Sequence, residues 1–353
     1  MKQCVVLMMA FLCVHGAPVD VLTPGSCQDA VASGAAAEAM NKINLDRTEG
    51  YVFSLDRLTN VHYMKHGESG IVFYLTFDVL ETKCHVISKK NWKNCEIRNP
   101  EEYPVYGQCK AVMYMNRVHR VTRLYKYSCT VRQVPASKIR ERCPDCPVQL
   151  PEDHEAALKT VKMGMEKYNK ESALANYFAP LNITKLDFGR FYSVEFTIQE
   201  TVCSSKTNIA DVSKCEVMGC KFAHKGFCKV SHSVTVTGEE NLSVQCEIFE
   251  PETAEEEKKK HLIGVRRPDG MVNVLPPVDK PMTLPSFPDK PAAGPEQPST
   301  LPFHPDPQIP GQREPAIHPF PNGMSPECPA QSNIQNGLLK QIISEDPLFK
   351  PTV

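Results

Sequence analysis

Glu81-Thr82-Lys83-Cys84 returns as Glu200-Thr201-Val202-Cys203, and Gly107-Gln108-Cys109-Lys110 returns as Gly226-Phe227-Cys228-Lys229. Around these echoes four cysteines stay in step. Cys84, Cys95, Cys109 and Cys129 reappear as Cys203, Cys215, Cys228 and Cys246, at offsets of 119, 120, 119 and 117 residues. Self-similarity at a long fixed period marks a duplicated structural unit, here of roughly 120 residues.

Each copy opens on a helix signal. In the first, Ser26 offers a cap, and Val31, Ala35, Ala39, Met40 and Ile43 recur at helical spacing; in the second, Ala157, Leu158, Val161, Met165 and Tyr168 follow Pro151. Both stripes predict core-facing helices and carry no chemistry. Strand patterns come next. Ile71, Phe73, Leu75, Phe77 and Val79 alternate with Val72, Tyr74, Thr76, Asp78 and Leu80. Val194, Phe196 and Ile198 alternate with Ser193, Glu195, Thr197 and Gln199. A period of two with one apolar face predicts an antiparallel sheet covered on one side, with the second set facing outward. The predicted class is α+β, one helix lying on a meandering antiparallel sheet in each module. The boundaries are module 1 at 23–142, a linker at 143–150, module 2 at 151–251 and a Pro-rich region at 252–353.

The chain has 353 residues, 41% apolar and 23% charged, with a formal net charge of −1. That balance gives no overall electrostatic drive toward nucleic acid or an anionic membrane. Twenty-one of the 30 prolines lie between Pro251 and Pro351, and 12 of the 15 cysteines between Cys27 and Cys246. Lys2 followed by the apolar run Val5–Val14 and by Gly16-Ala17 predicts a signal peptide over 1–16 and a secreted protein. The run is too short to span a bilayer, and no later stretch approaches 18 apolar residues. The sequons at Asn182 and Asn241 fit an extracellular glycoprotein. Cleavage removes Cys4 and Cys13 and leaves 13 cysteines, a disulfide framework with one thiol over. Cys84/Cys95 and Cys203/Cys215 each bracket a short loop, and Cys109/Cys129 and Cys228/Cys246 suit staples between neighbouring strands. Past Pro251, Glu255–Lys260 is a charge run, and Pro268–Pro329 has the composition of extended, weakly ordered chain. Cys27 and Cys328 have no repeat partners, and a bond between them would pin the tail to module 1.

Between the modules stands Arg142-Cys143-Pro144-Asp145-Cys146-Pro147. Four readings are open. A redox centre requires the motif to open a helix after a strand. A structural zinc site requires a second pair nearby. A tight disulfide would simply stiffen the linker. In the fourth reading the small ring holds Asp145 outward as a ligand for a metal in a partner protein. Such a carboxylate loses little entropy on binding, and a catalytic zinc keeps a coordination position open.

Two hairpin tips, Met64–Gly70 and Leu186-Asp187-Phe188-Gly189-Arg190, are plain turns or recognition loops, with Phe188 the residue to watch. The histidines show no metal-ligand spacing. There is no His-Glu-x-x-His, Gly-x-Ser-x-Gly or phosphate-binding glycine loop, so nothing argues for an enzyme, a cofactor or a metal of its own. Residues 84–142 carry 13 Lys or Arg against 4 Glu. Arg117, Arg120, Arg123 and Lys126 there read as a solvated strand face or a dock for an acidic partner.

Two helix-plus-sheet modules with this cysteine pattern, the Cys-Pro-Asp-Cys-Pro linker and the Pro-rich tail ending in Glu327-Cys328-Pro329 resemble the tandem cystatin domains of the fetuin family. The resemblance implies the pairs 27–328, 84–95, 109–129, 143–146, 203–215 and 228–246. Cys220 departs from the framework and either competes within 203–215 or stays free. The resemblance further implies a secreted, monomeric inhibitor of astacin-type zinc metalloendopeptidases, including the egg cortical enzyme that hardens the egg coat and so bears on fertilisation. Asp145 would meet the protease zinc, and Leu186 to Arg190 would fill neighbouring subsites. Two other classes compete. A mineral carrier needs an array of carboxylates on an exposed sheet face, and the outward set Val72–Leu80 offers one acid. A thiol-protease inhibitor resembles a Gln-Val-Val-Ala-Gly hairpin, which neither tip reproduces.

Overall fold

The computed structural model describes residues 22–251, apart from 68, 207–211 and 236, together with 254, 299–300 and 315–349. The expected signal peptide, the charge run 255–260 and most of the Pro-rich stretch lie outside the described residues.

Helix α1 (Ala30–Asp46) starts where the Asp29 side chain accepts from the Val31 amide at 2.9 Å. Ser26, the expected cap, instead donates its hydroxyl to Glu327 of the tail at 2.6 Å. The buried stripe is made largely of small residues, Ala32, Ala35, Ala36 and Ala39, with Met40 and Ile43. Short side chains let the helix backbone approach the sheet closely. That sheet is an antiparallel meander of β1 (Thr23–Pro24), β2 (Tyr51–His66), β3 (Gly70–His85), β4 (Val105–Asn116) and β5 (Val121–Gln133). The chain then passes through α2 (Ala136–Arg142) and β6 (Val148–Gln149) into helix α3 (Glu155–Glu171). His154 caps α3, its Nδ1 accepting from the Ala156 amide at 3.2 Å. β7 (Asn176–Phe188), β8 (Tyr192–Ser204), β9 (Lys225–Val234) and β10 (Glu240–Phe249) complete a second antiparallel sheet, with β6 at its edge beside β7. Of the predicted α3 stripe, Ala157, Val161 and Met165 are buried, whereas Leu158 is 60% exposed. It is one residue, or about 100°, from the Ala157–Met165 face.

Six disulfides are present: 27–328, 84–95, 109–129, 143–146, 203–215 and 228–246. Cys220 is an exposed free thiol and does not enter the 203–215 bond.

The expectation that each sheet is covered on one side only is overturned. On β3 the set meant to face outward is largely buried: Val72 and Tyr74, Asp78 and Leu80 are all at 2% exposure or less. The cover comes from the tail. After β11 (Ser299–Thr300), which extends the first sheet beside β5, two parts of the segment 315–349 pack on its back, while Cys328 and Ala330 between them reach the helix-side core past the β2 edge. The Tyr74 hydroxyl accepts from the His318 amide at 2.8 Å and its ring meets Phe320 edge-on. Helix α4 (Gly337–Glu345) packs Leu339, Ile342 and Ile343 onto Leu80 and Tyr106. The described part of the Pro-rich region is therefore a packed layer as well as a tether. The spacing of Leu339, Ile342 and Ile343 made it legible as an amphipathic helix, but composition hid it.

Ser193, Glu195, Thr197 and Gln199 of β8 are likewise buried. For Glu195 the cover is module 1, whose Arg98 and Tyr51 both bond it. Arg98 has no exposed side-chain surface and also pairs with Glu81 at 2.8 Å. Burial by itself raises the Glu195 pKa, but Arg98, Lys229 and Tyr51 outweigh it and hold the carboxyl at about 2. His85 stacks on Phe227 at 5.2 Å and Tyr51 meets the same ring edge-on, so the contact between modules is aromatic as well as ionic.

Candidate inhibitory edge

The linker is stiff because every turn of it is tied down. The Cys143 amide caps α2 by donating to the Ile139 carbonyl at 2.8 Å, and the Cys146 amide donates to the Cys143 carbonyl at 3.2 Å. Cys143 and Cys146 are bonded to each other, with Cα atoms 5.2 Å apart. Both sulfurs are thus unavailable to zinc, and the motif closes a helix rather than opening one, which removes the thioredoxin-like reading. Pro144 and Asp145 sit at the crest, both exposed. Pro147 is clamped from module 1, its carbonyl accepting from the Tyr103 hydroxyl at 2.8 Å.

The linker then becomes a strand of the second sheet. Val148 pairs with Phe188 and Gln149 with Asp187, and the Leu150 amide donates to the Leu186 carbonyl at 2.9 Å. This pairing sets the β7–β8 turn beside the ring. A Cβ added to Gly189 would lie 3.2 Å from Pro147 Cγ, so only glycine lets the two loops touch without displacement. Asp145, Pro147, Asp187, Gly189, Arg190, Phe191 and Ser193 line an open hollow of about 230 Å³ between them.

The expected contact residues divide. Phe188 and Arg190 are exposed, and Gly189 faces the linker. Leu186 is corrected: it has no exposed surface and belongs to the core of module 2 with Phe196 and Val230. Its side chain is on the helix-facing side of β7, one residue out of phase with the hollow. Asp187, next along β7, lies on the opposite face, half-buried in the lining of the hollow. Burial pushes its carboxyl up to about 6 against the pull of Lys185, and its Oδ1 is buried with no hydrogen-bond partner. Phe191 was missed, although it is 48% exposed and lines the hollow. The signal was the aromatic spacing Phe188/Phe191 across Gly189-Arg190. Val234, 58% exposed, joins this end because Tyr192 pairs with His232, two residues before it.

The other tip, Met64–Gly70, is not part of this edge. It lies beside the β4–β5 turn, since Gly70 pairs with Asn116, at the end of the first sheet away from α2. Met64 is buried against Tyr74. Of the basic group, Arg117, Arg120 and Lys126 are exposed at that far end, while Arg123 is buried with its guanidinium 4.6 Å from the Tyr125 ring. Asn182 and Asn241 are both exposed. Among the described residues, no group of three or more His, Cys, Asp or Glu is arranged to hold a metal ion, and no helix is long and apolar enough to cross a membrane.

Two helix-on-sheet modules, each stapled alike and joined by a bonded linker, define a tandem cystatin protein. The cystatin domain model matches residues 24–117 and 146–237. Human fetuin-B is 35% identical over 277 residues, covering 75% of this chain and 70% of that protein. Among solved structures, mouse fetuin-B superposes with a TM-score of 0.63 at 29% identity, over 90% of this chain and 98% of that one. Mouse fetuin-B in complex with crayfish astacin gives 0.54 at 34% identity (67% and 76% covered). The inhibitory complex of human meprin beta with mouse fetuin-B gives 0.58 at 32% (66% and 76%). The chain belongs to the fetuin-B family.

Proposed function

We propose that this protein is a secreted inhibitor of astacin-type zinc metalloendopeptidases, and that Asp145 is the ligand it offers to the protease zinc. One observation carries the reading: an exposed carboxylate on a bonded ring, with the Phe188–Phe191 turn packed against Pro147, the residue that follows that ring. A carboxylate oxygen is a competent zinc ligand, and a catalytic zinc has a position to fill. The ring, the two prolines and the strand pairing of β6 remove freedom that binding would otherwise have to remove. Phe188, Phe191 and Val234 supply exposed apolar surface at the same end of the second sheet as the acid, as an anchored interface needs. The relatives solved with astacin and with meprin beta support the partner class. The mineral-carrier reading finds no support on β3: Asp78, the single acid of the set Val72–Leu80, is buried and paired with Arg57 at 2.8 Å.

Asp145→Ala assayed against crayfish astacin tests the zinc-ligand role. Loss of a central anchor of about 2–4 kcal/mol raises the inhibition constant about 30- to 1000-fold, with an unchanged circular dichroism spectrum. An unchanged constant rejects the role. The narrower reading, restraint of egg-coat hardening, rests on the family resemblance. It predicts that the protein blocks hardening of isolated egg coats by cortical exudate, and hardening at the normal rate removes it.

A further inference from the structure

Asp145 and the Phe188–Phe191 turn belong to two parts of the chain that can present one edge only if the modules are held at a fixed angle. Tyr51 and His85 meet β8 and β9, but the contacts that reach the β7–β8 stem and the linker together lie in one short loop of module 1, residues 98–103. At its start, Arg98 is fully buried, spans from Glu81 of its own module to Glu195 on β8, and stacks 4.1 Å from the Tyr51 ring. Near its end, the Glu102 carbonyl accepts from Lys185 Nζ on β7. At its last residue, the Tyr103 hydroxyl reaches the Pro147 carbonyl of the linker at 2.8 Å. Lys185 and Glu195 are paired across β7 and β8, each three residues from the last pair of the stem, Phe188 and Tyr192. The loop therefore grips both strands of the hairpin stem and the linker together. It is itself braced by the 84–95 disulfide and by the Asn99 amide donating to Glu102 at 3.1 Å.

We infer that loop 98–103 is a positioning bracket, with Arg98 as its anchor, that sets Asp145 in register with the Phe188–Phe191 turn. This rests on the inhibitory reading above. Arg98 is a positioning residue, since it touches neither the ring nor the exposed turn. A buried, multiply bonded charge has this capacity because its partners must stay in one arrangement to compensate it, and removing one leaves the others buried and unpaired.

The test is a double-mutant cycle on the full-length protein against crayfish astacin, with Arg98→Met and Asp145→Ala alone and together. Arg98→Met by itself is expected to raise the inhibition constant about tenfold, and to change it less than about twofold when Asp145 is already Ala. A role confined to general stability would give equal factors in both backgrounds, and that result, or no effect of Arg98→Met, overturns the bracket. Tyr103→Phe, which removes one hydroxyl and no charge, keeps the question answerable if Arg98→Met fails to fold. It is expected to weaken inhibition a few-fold with the same dependence on Asp145, and additive behaviour overturns the bracket. Hydrogen exchange of the Leu150 amide gives a readout without any protease: it quickens in either variant if the bracket holds and is unchanged if it does not. Failure of the inhibitory reading looks different, because Asp145→Ala would then inhibit like the wild type.

Discussion

Asp187 shows how a residue's neighbours, rather than its type, decide its chemistry. In the sequence it is one of five turn residues with an ordinary carboxylate. In the fold it is half-buried beside Gln149 of the linker, and burial lifts its pKa to about 6. A carboxyl whose folded pKa lies above its unfolded value binds its proton more tightly when folded. Its contribution therefore favours the fold below about pH 4 and is withdrawn as the pH climbs from there to about 6. Replacing Asp187 with Asn removes that penalty. The expected result is a higher Tm than wild type at pH 7.5 and a smaller difference between the two proteins at pH 4. Thermal melts at the two pH values check it, and a variant that loses stability at pH 7.5 contradicts the sign. At this scale the sequence was informative about Asp145, because Cys-Pro-Asp-Cys-Pro restricts its own backbone. It was silent about Arg98 and Glu195, whose partners are 97 positions apart in the chain.

Among the elements, the β7–β8 hairpin and the linker make one unit, and their contact is set by Gly189. The space there is tight for a side chain: Pro147 Cγ is 3.2 Å and Pro147 Cα 3.4 Å from where a Cβ would stand, so the neighbours must give by a few tenths of an ångström even for Ala and further for a branched side chain. Retreat of Pro147 is opposed by the bonded ring on one side and by its hydrogen bond from Tyr103 on the other. Gly189→Val must therefore push the turn off the linker. It is expected to raise the inhibition constant against astacin by about tenfold or more, corresponding to at least about 1.4 kcal/mol, while the second sheet stays folded. Inhibition at the wild-type level would show that the two loops act independently. Helices α1 and α3 and strands β3 and β8 were legible, since apolar period and cysteine spacing agree in both modules. The pairing of β6 with β7 was not: two residues, Val148 and Gln149, are too few to show a period. Which hairpin meets the linker was also beyond local pattern, because it depends on the direction in which each meander ends.

For the whole molecule, the element that composition leaves unread is the helix near the end of the tail. A proline-rich composition argues for weakly ordered chain, and composition averages over the short stretch, Leu338 to Ile343, that has a helical face. That face matters to the far side of the fold. Leu339, Ile342 and Ile343 share a cluster with Ile139 of α2, and Cys146 of the linker ring packs against the same cluster. Arg142 also reaches Gln341 at 3.2 Å. The C-terminal layer thus supports the root of the inhibitory linker, and the Cys27–Cys328 bond ties that layer to module 1 across a sequence separation of 301 residues. Closing a long loop stabilises a fold by restricting the unfolded chain, about 2–4 kcal/mol for a typical bond. Cys27→Ser combined with Cys328→Ser is therefore expected to lower the urea-unfolding free energy by that amount. The loss should fall unevenly. Exchange of the Lys340 and Asp346 amides, which donate to the Asn336 and Ile342 carbonyls of α4, should quicken. The amides of α3, which packs on the second sheet away from the tail, should keep their protection. Equal loosening of α3 and α4 would mean that the bond stabilises the chain as a whole and that the tail is not a separable layer.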